Sequence, residues 1–169
     1  MREAAFPKQQ GLTLIEMIIT IVIFSAAVVG VVSAIASMTA RGADPIVQNK
    51  AALLAQFYLD EALGTRYDEA SPITGGEVSP VSQLCDAMGP ESESRAAFDD
   101  VDDYHNLSES PRDRSGAALS GYAGFHVEMK VTCDGSRFGM ANHAAKHISV
   151  TVTPPQGATM VFGVYRGYF

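Results

Sequence analysis

Four carboxylates fall within five residues at Asp99, Asp100, Asp102 and Asp103. Such a run offers the several oxygen ligands that a hard cation such as Ca²⁺ takes. The EF-hand spacing, with its glycine and closing glutamate, is absent, so a solvated acidic loop or a set of caps for a short helix is the expected state, with calcium as the alternative. His143 and His147 stand four apart and would share one face of a helix. Zinc needs a third and usually a fourth ligand, which no spacing supplies, so a surface pair in a loop is expected. No G-x-S-x-G elbow, P-loop or Cys-x-x-Cys is present, so catalysis has no candidate constellation and the chain reads as a non-enzymatic, structural part without a cofactor.

Glu16 is the fifth charged group of a different kind, because it stands inside an apolar segment. Residues 8–16 read K-Q-Q-G-L-T-L-I-E, and residues 17–40 follow with no charge and no proline. At about 1.5 Å per residue that uncharged run is roughly 36 Å long, enough to cross a hydrocarbon core of about 30 Å. An ordinary secretory signal is cut after its apolar stretch, whereas here the polar-to-apolar break falls at Gly11, before it. Cleavage at that point would leave the helix on the mature chain and create an α-amino group at Leu12, four residues from Glu16. A carboxylate in an apolar helix costs about 2.5–3.5 kcal/mol near the centre and less near the end, so it normally has a partner or a task. The new amine, in the same chain or in a neighbouring subunit, is the partner expected; an interfacial acid touching water is the alternative. Ala26, Gly30 and Ala34 recur every four residues, with Ser33 and Ser37 on a neighbouring stripe, a spacing that lets apolar helices approach closely and that a generic anchor also shows.

The 169 residues suit one domain plus a terminal extension, and the net charge of −7 with no basic stripe excludes nucleic acid and anionic membrane surfaces as partners. Arg2 and Lys8 precede the apolar helix and the acidic mass follows it, which places the leader in the cytoplasm and the remainder across the membrane. In an exported chain Cys85 and Cys133 are expected to form a disulfide; two unrelated buried thiols are the alternative. Closing that loop stabilises the fold by about 4 kcal/mol on the chain-entropy model.

The elements that must position these groups follow from periodicity. Asp44 and Pro45 are a good N-cap and first helical residue, and Val47, Ala51, Leu54, Tyr58 and Ala62 then form an apolar stripe that Gly64 ends. The junction at 42–45 is either a kink in one long helix or a break between two. Residues 68–120, rich in Gly, Pro, Ser and acids, read as a long loop region with short helical turns. Residues 125–133 alternate Phe, Val, Met, Val, Cys with polar side chains; Ile148, Val150 and Val152 alternate with Ser and Thr; 160–165 is apolar on both faces. The expectation is an α+β fold, a long N-terminal helix laid on an antiparallel sheet of three or more strands. Its segments are a leader at 1–11, a membrane or filament-core helix at 12–40, an amphipathic helix at 41–66 and a globular head at 67–169.

The nine residues K-Q-Q-G-L-T-L-I-E with their apolar tail resemble the class III signal of type IV prepilins and of the related pseudopilins of type II secretion. The resemblance implies a membrane peptidase that cuts between Gly11 and Leu12 and methylates Leu12, and it implies that Glu16 neutralises a neighbouring N-terminus during assembly. Other pilins, the peptidase and an inner-membrane assembly platform are the partners it implies. Residues 98–105, reading F-D-D-V-D-D-Y-H, are similar to a segment of minor pilins of mannose-sensitive haemagglutinin (MSHA) pili. Leu12 replaces the commoner phenylalanine, the mid-helix proline frequent in major pilins is absent with Ser33 near its place, and 36 residues follow Cys133, all pointing away from a major subunit. Two readings of other classes remain: a single-pass anchored periplasmic ligand-binding domain with an uncut leader, and a secreted protein cut after Ala34-Ile35-Ala36, before Ser37.

Overall fold

The computed structural model describes residues 13–41, 45–72, 84–86 and 88–168. The chain divides into two units, Met1–Gly42 and Ala43–Phe169.

In the first unit, helix α1 spans Leu14–Arg41. Thr13 begins it: the Glu16 backbone N–H donates to Thr13 Oγ1 at 3.4 Å, and the Met17 N–H donates to the Thr13 carbonyl at 3.2 Å, the N-cap arrangement that supplies acceptors for otherwise orphan donors. Two hydroxyls inside the apolar run are silenced by the helix itself. Thr20 Oγ1 donates to the Glu16 carbonyl and Ser25 Oγ to the Ile21 carbonyl, each at 2.7 Å, so neither needs water in a hydrocarbon environment. Every side chain from 14 to 36 is exposed, and Leu14–Ala36 is long and apolar enough to cross a membrane.

In the second unit, α2 (Pro45–Leu63) lies on a four-stranded antiparallel sheet of β1 (Ser108–Glu109), β2 (His126–Cys133), β3 (Ala145–Thr153) and β4 (Met160–Gly167), in spatial order β1-β2-β3-β4. The expected stripe is the buried one: Ala51, Leu54, Ala55, Tyr58 and Ala62 face the core, with Val47 packed at its edge. The helix stops where Gly64 donates to the carbonyls of Asp60 and Glu61. Register pairs the inward residues of β2 and β3 directly, Val127 with Val152, Met129 with Val150 and Val131 with Ile148, all buried. Met160, Phe162 and Val164 of β4 share that face, while Val161 is exposed on the other. Phe98, Val101, Tyr104 and Phe125, from outside the strands, close the core. The architecture is α+β and type IV pilin-like.

Two polar devices hold the loop region to this frame. Arg95 grips Glu61 of α2 with two bonds of 2.6 and 2.8 Å and reaches Glu109 of β1 at 3.3 Å, while Tyr58 donates to Glu109 at 2.7 Å. The β2–β3 connection turns so tightly that a Cβ on Gly135 would lie 2.1 Å from the Ala141 carbonyl oxygen, a space only glycine can occupy. Strand β1, two residues inside the region read as loop, was not anticipated. Neither was the setting of the histidines. His143 is in a 3-10 turn (Asn142–Ala144), but His147 is a strand residue stacked on Tyr165 with ring centroids 4.6 Å apart, so the two do not form a loop pair.

Candidate functional site

Of the residues singled out at the N-terminus, Gly11 and Leu12 lie outside the described residues, as does Asp44 of the expected α2 cap. Glu16 is exposed in the first turn of α1, where an acid also favours the positive end of the helix dipole. Thr13, which the sequence reading passed over, caps the same turn; the T-x-x-E spacing of a capping box was its signal.

The head gathers its charges at one end of the sheet. Of the two expected states of the acidic run, it is the set of caps for a short helix that forms and not the solvated loop: Asp100, Asp102 and Asp103 are buried, and of the four only Asp99 reaches solvent. Tight backbone turning is what draws them in. Asp100 Oδ1 accepts the N–H groups of Asp102 (2.7 Å) and Asp103 (3.2 Å), and Asp103 Oδ2 accepts those of Asp99 (2.8 Å) and Asp100 (3.0 Å), so the carboxylates act as reciprocal caps around the 3-10 turn Asp102–Tyr104. Arg66 fastens this turn from outside, bonding Asp99 and, at 2.8 Å, Glu69.

The second reason is a cation that the sequence reading missed. Lys146 on β3 is 0 % exposed, and its Nζ donates to Asp102 Oδ2 at 2.5 Å, to the Tyr67 carbonyl at 2.7 Å and to Asp68 Oδ2 at 2.9 Å, with the Tyr67 ring 4.5 Å away. Parity was its signal, since Lys146 stands on the same face as Ile148, Val150 and Val152. Arg166 pairs with Lys146 in register and donates to the Arg66 carbonyl at 3.0 Å, so both strands end in an inward cation.

One buried cation facing two carboxylates leaves an uncompensated negative charge, and the two acids divide accordingly. Burial works to raise the Asp68 carboxyl, but the Lys146 hydrogen bond and charge outweigh it and hold Asp68 below the usual range. Burial dominates at Asp102 and pushes it up to about 7 against the pull of Lys146. Asp100, raised by burial and then by the Asp103 carboxylate, reaches about 6.

Asp68 also accepts the Cys85 backbone N–H at 3.3 Å, and Cys85 is joined to Cys133 by the expected disulfide, their Cα atoms 6.3 Å apart. The bridge therefore ties the loop carrying Cys85 to the end of β2 beside the Lys146 cluster. Among the described residues two groups of three acids bring a carboxylate oxygen each within 4.8 Å of the others: Glu69, Asp99 and Asp100, and Glu93, Asp99 and Asp103. Asp102 belongs to neither.

With this geometry in place, one family model, the prokaryotic N-terminal methylation motif, matches residues 6–32. The match takes in the first two thirds of α1, and it supports a type IV pilin or pseudopilin subunit. No curated protein and no solved structure matches the chain.

Proposed function

We propose that this chain is a minor pilin, of the D type found in MSHA pili, which is assembled into a type IV pilus or primes its assembly and does no catalysis. The observation that carries the reading is the methylation motif at 6–32 continuing into a helix whose side chains from 14 to 36 are all exposed. A helix clad in apolar side chains needs lipid around it, or other such helices. The precursor is held in the inner membrane with the leader cytoplasmic and the head periplasmic. The peptidase then cuts between Gly11 and Leu12 and methylates Leu12, and α1 leaves lipid for a bundle of its own kind under the guidance of the assembly platform. Exchanging lipid for helix neighbours keeps the apolar surface dry throughout. Glu16 answers the amine of an adjacent subunit.

The missing helix proline favours a minor over a major subunit, and the resemblance of residues 98–105 favours an MSHA-like pilin over a pseudopilin of type II secretion, which shares the same motif and the same physics. Mass spectrometry of the mature N-terminus tests the class. N-methyl-Leu12 is the expected species; a chain beginning at Met1 would support an anchored domain, and one beginning at Ser37 a secreted protein, either of which overturns the proposal. Recovery of the chain in sheared pili, and not only in secretion-system preparations, tests the subclass.

A further inference from the structure

The Lys146 cluster accounts for Asp68 and Asp102, and backbone capping accounts for half of Asp103. We propose that Glu93, Asp99 and Asp103 form a Ca²⁺ site on the head, a site independent of the filament reading. Their carboxylate oxygens converge to within 4.8 Å of one another.

The observation that points to a ligand is Asp103. The residue is 2 % exposed; its Oδ2 is fixed by the N–H groups of Asp99 and Asp100, while its Oδ1 is buried and has no hydrogen-bond partner among the described residues. A buried carboxylate oxygen without a donor is costly, and a cation is one of the few groups that relieves it. Asp100 Oδ2, in the other acid group, is likewise buried without a hydrogen-bond partner among the described residues, so the two groups differ in their cations and not in this. The group of Glu69, Asp99 and Asp100 already holds the Arg66 guanidinium against two of its members, whereas among the described residues no cationic side chain makes an ion pair with Glu93 or Asp103.

Charge balance favours a divalent ion. Three carboxylates set against the single guanidinium on Asp99 leave a charge of −2. Oxygen ligands of mixed exposure, with water completing the shell, suit the flexible coordination of Ca²⁺ better than the strict octahedron of Mg²⁺.

Titration calorimetry of the full chain in detergent, stripped with EDTA and dialysed, tests this with CaCl₂ as the probe. One Ca²⁺ per chain is expected, with a dissociation constant on the order of 10⁻⁴–10⁻³ M as in other extracellular modules, together with a rise in the melting temperature of the head. Glu93→Gln, at an exposed side chain, should weaken binding at least tenfold and leave the melting temperature in EDTA unchanged. Asp103→Asn, which keeps an acceptor for the two N–H groups, should abolish binding. Absence of saturable heat up to 10 mM Ca²⁺, unaltered binding by Glu93→Gln, or equal binding of Mg²⁺ would each overturn the assignment.

Discussion

Replacing Lys146 with methionine keeps the length of the side chain and removes its charge. The structure gives the magnitude. Lys146 is fully buried and donates to the Asp68 and Asp102 carboxylates and the Tyr67 carbonyl, so its loss removes a charged donor from three buried acceptors at once and leaves Asp68 only its backbone N–H donors. Breaking a buried ion pair from one side costs about 3–5 kcal/mol. For a unit of about 127 residues, an unfolding entropy near 2.1 cal/mol/K per residue converts 4 kcal/mol into a fall of roughly 15 °C. The loss should depend on pH, and its sign follows from Asp102. Its carboxyl is raised in the folded head to about 7, so the stability it contributes is complete below the unfolded value and drains away as pH rises through 7. Asp68, held low by Lys146, contributes in the opposite sense, and only below the ordinary carboxylate range. Between pH 5 and 8 the Asp102 effect rules: wild type should melt higher at pH 5. Without Lys146 both carboxyls are pushed up and protonate more readily, so Lys146→Met should lose less at pH 5 than at pH 8. The assay is thermal unfolding of the full chain in detergent with EDTA, followed by the near-ultraviolet signal of the buried tyrosines. A fall under about 4 °C at pH 8, or equal falls at both pH values, would refute the account of a charge-balanced cluster.

Cys133→Ser opens a loop whose ends are 48 residues apart and should lower the stability of the head by about 4 kcal/mol, read as a matching shift in denaturant midpoint; a midpoint equal to that of the oxidised wild type would count against it. Gly135→Ala forces a methyl group against the Ala141 carbonyl and should cost about 3 kcal/mol, whereas Gly116→Ala, with open space around it, should cost less than half as much despite its positive φ. Glu16→Ala should leave insertion and processing intact, since Thr13 still caps the helix, yet reduce recovery of the chain in sheared filaments; unchanged recovery would show Glu16 to be an interfacial acid.

The regular elements were legible because each repeats one simple rule. Val127, Met129 and Val131 alternate with Glu128, Lys130 and Thr132, and α2 keeps its apolar stripe for four turns, so periodicity located β2, β3 and the helix that covers them, while β4 showed as a short apolar run. Strand β1 escaped because Ser108 and Glu109 are polar and only two residues long, paired by the neighbouring edge of β2 and by nothing in their own pattern. The burial of the acidic run escaped for a related reason. Four aspartates within five residues look solvated until the partners are known, and Arg66 and Lys146 come from segments far away in the chain. The signal for Lys146 lay in carrying the β3 alternation two residues back from Ile148, a step the strand boundary at 148 cut off.

Lys146 sits 78 residues beyond Asp68 and 44 beyond Asp102, and the disulfide partner of Cys85 also arrives late. A chain that emerges N-terminus first therefore presents Asp68 and Asp102 long before the amine that bonds them both. The cluster thus cannot be completed before β3 is in place, because the amine that joins Asp68, Asp102 and the Tyr67 carbonyl is carried on that strand.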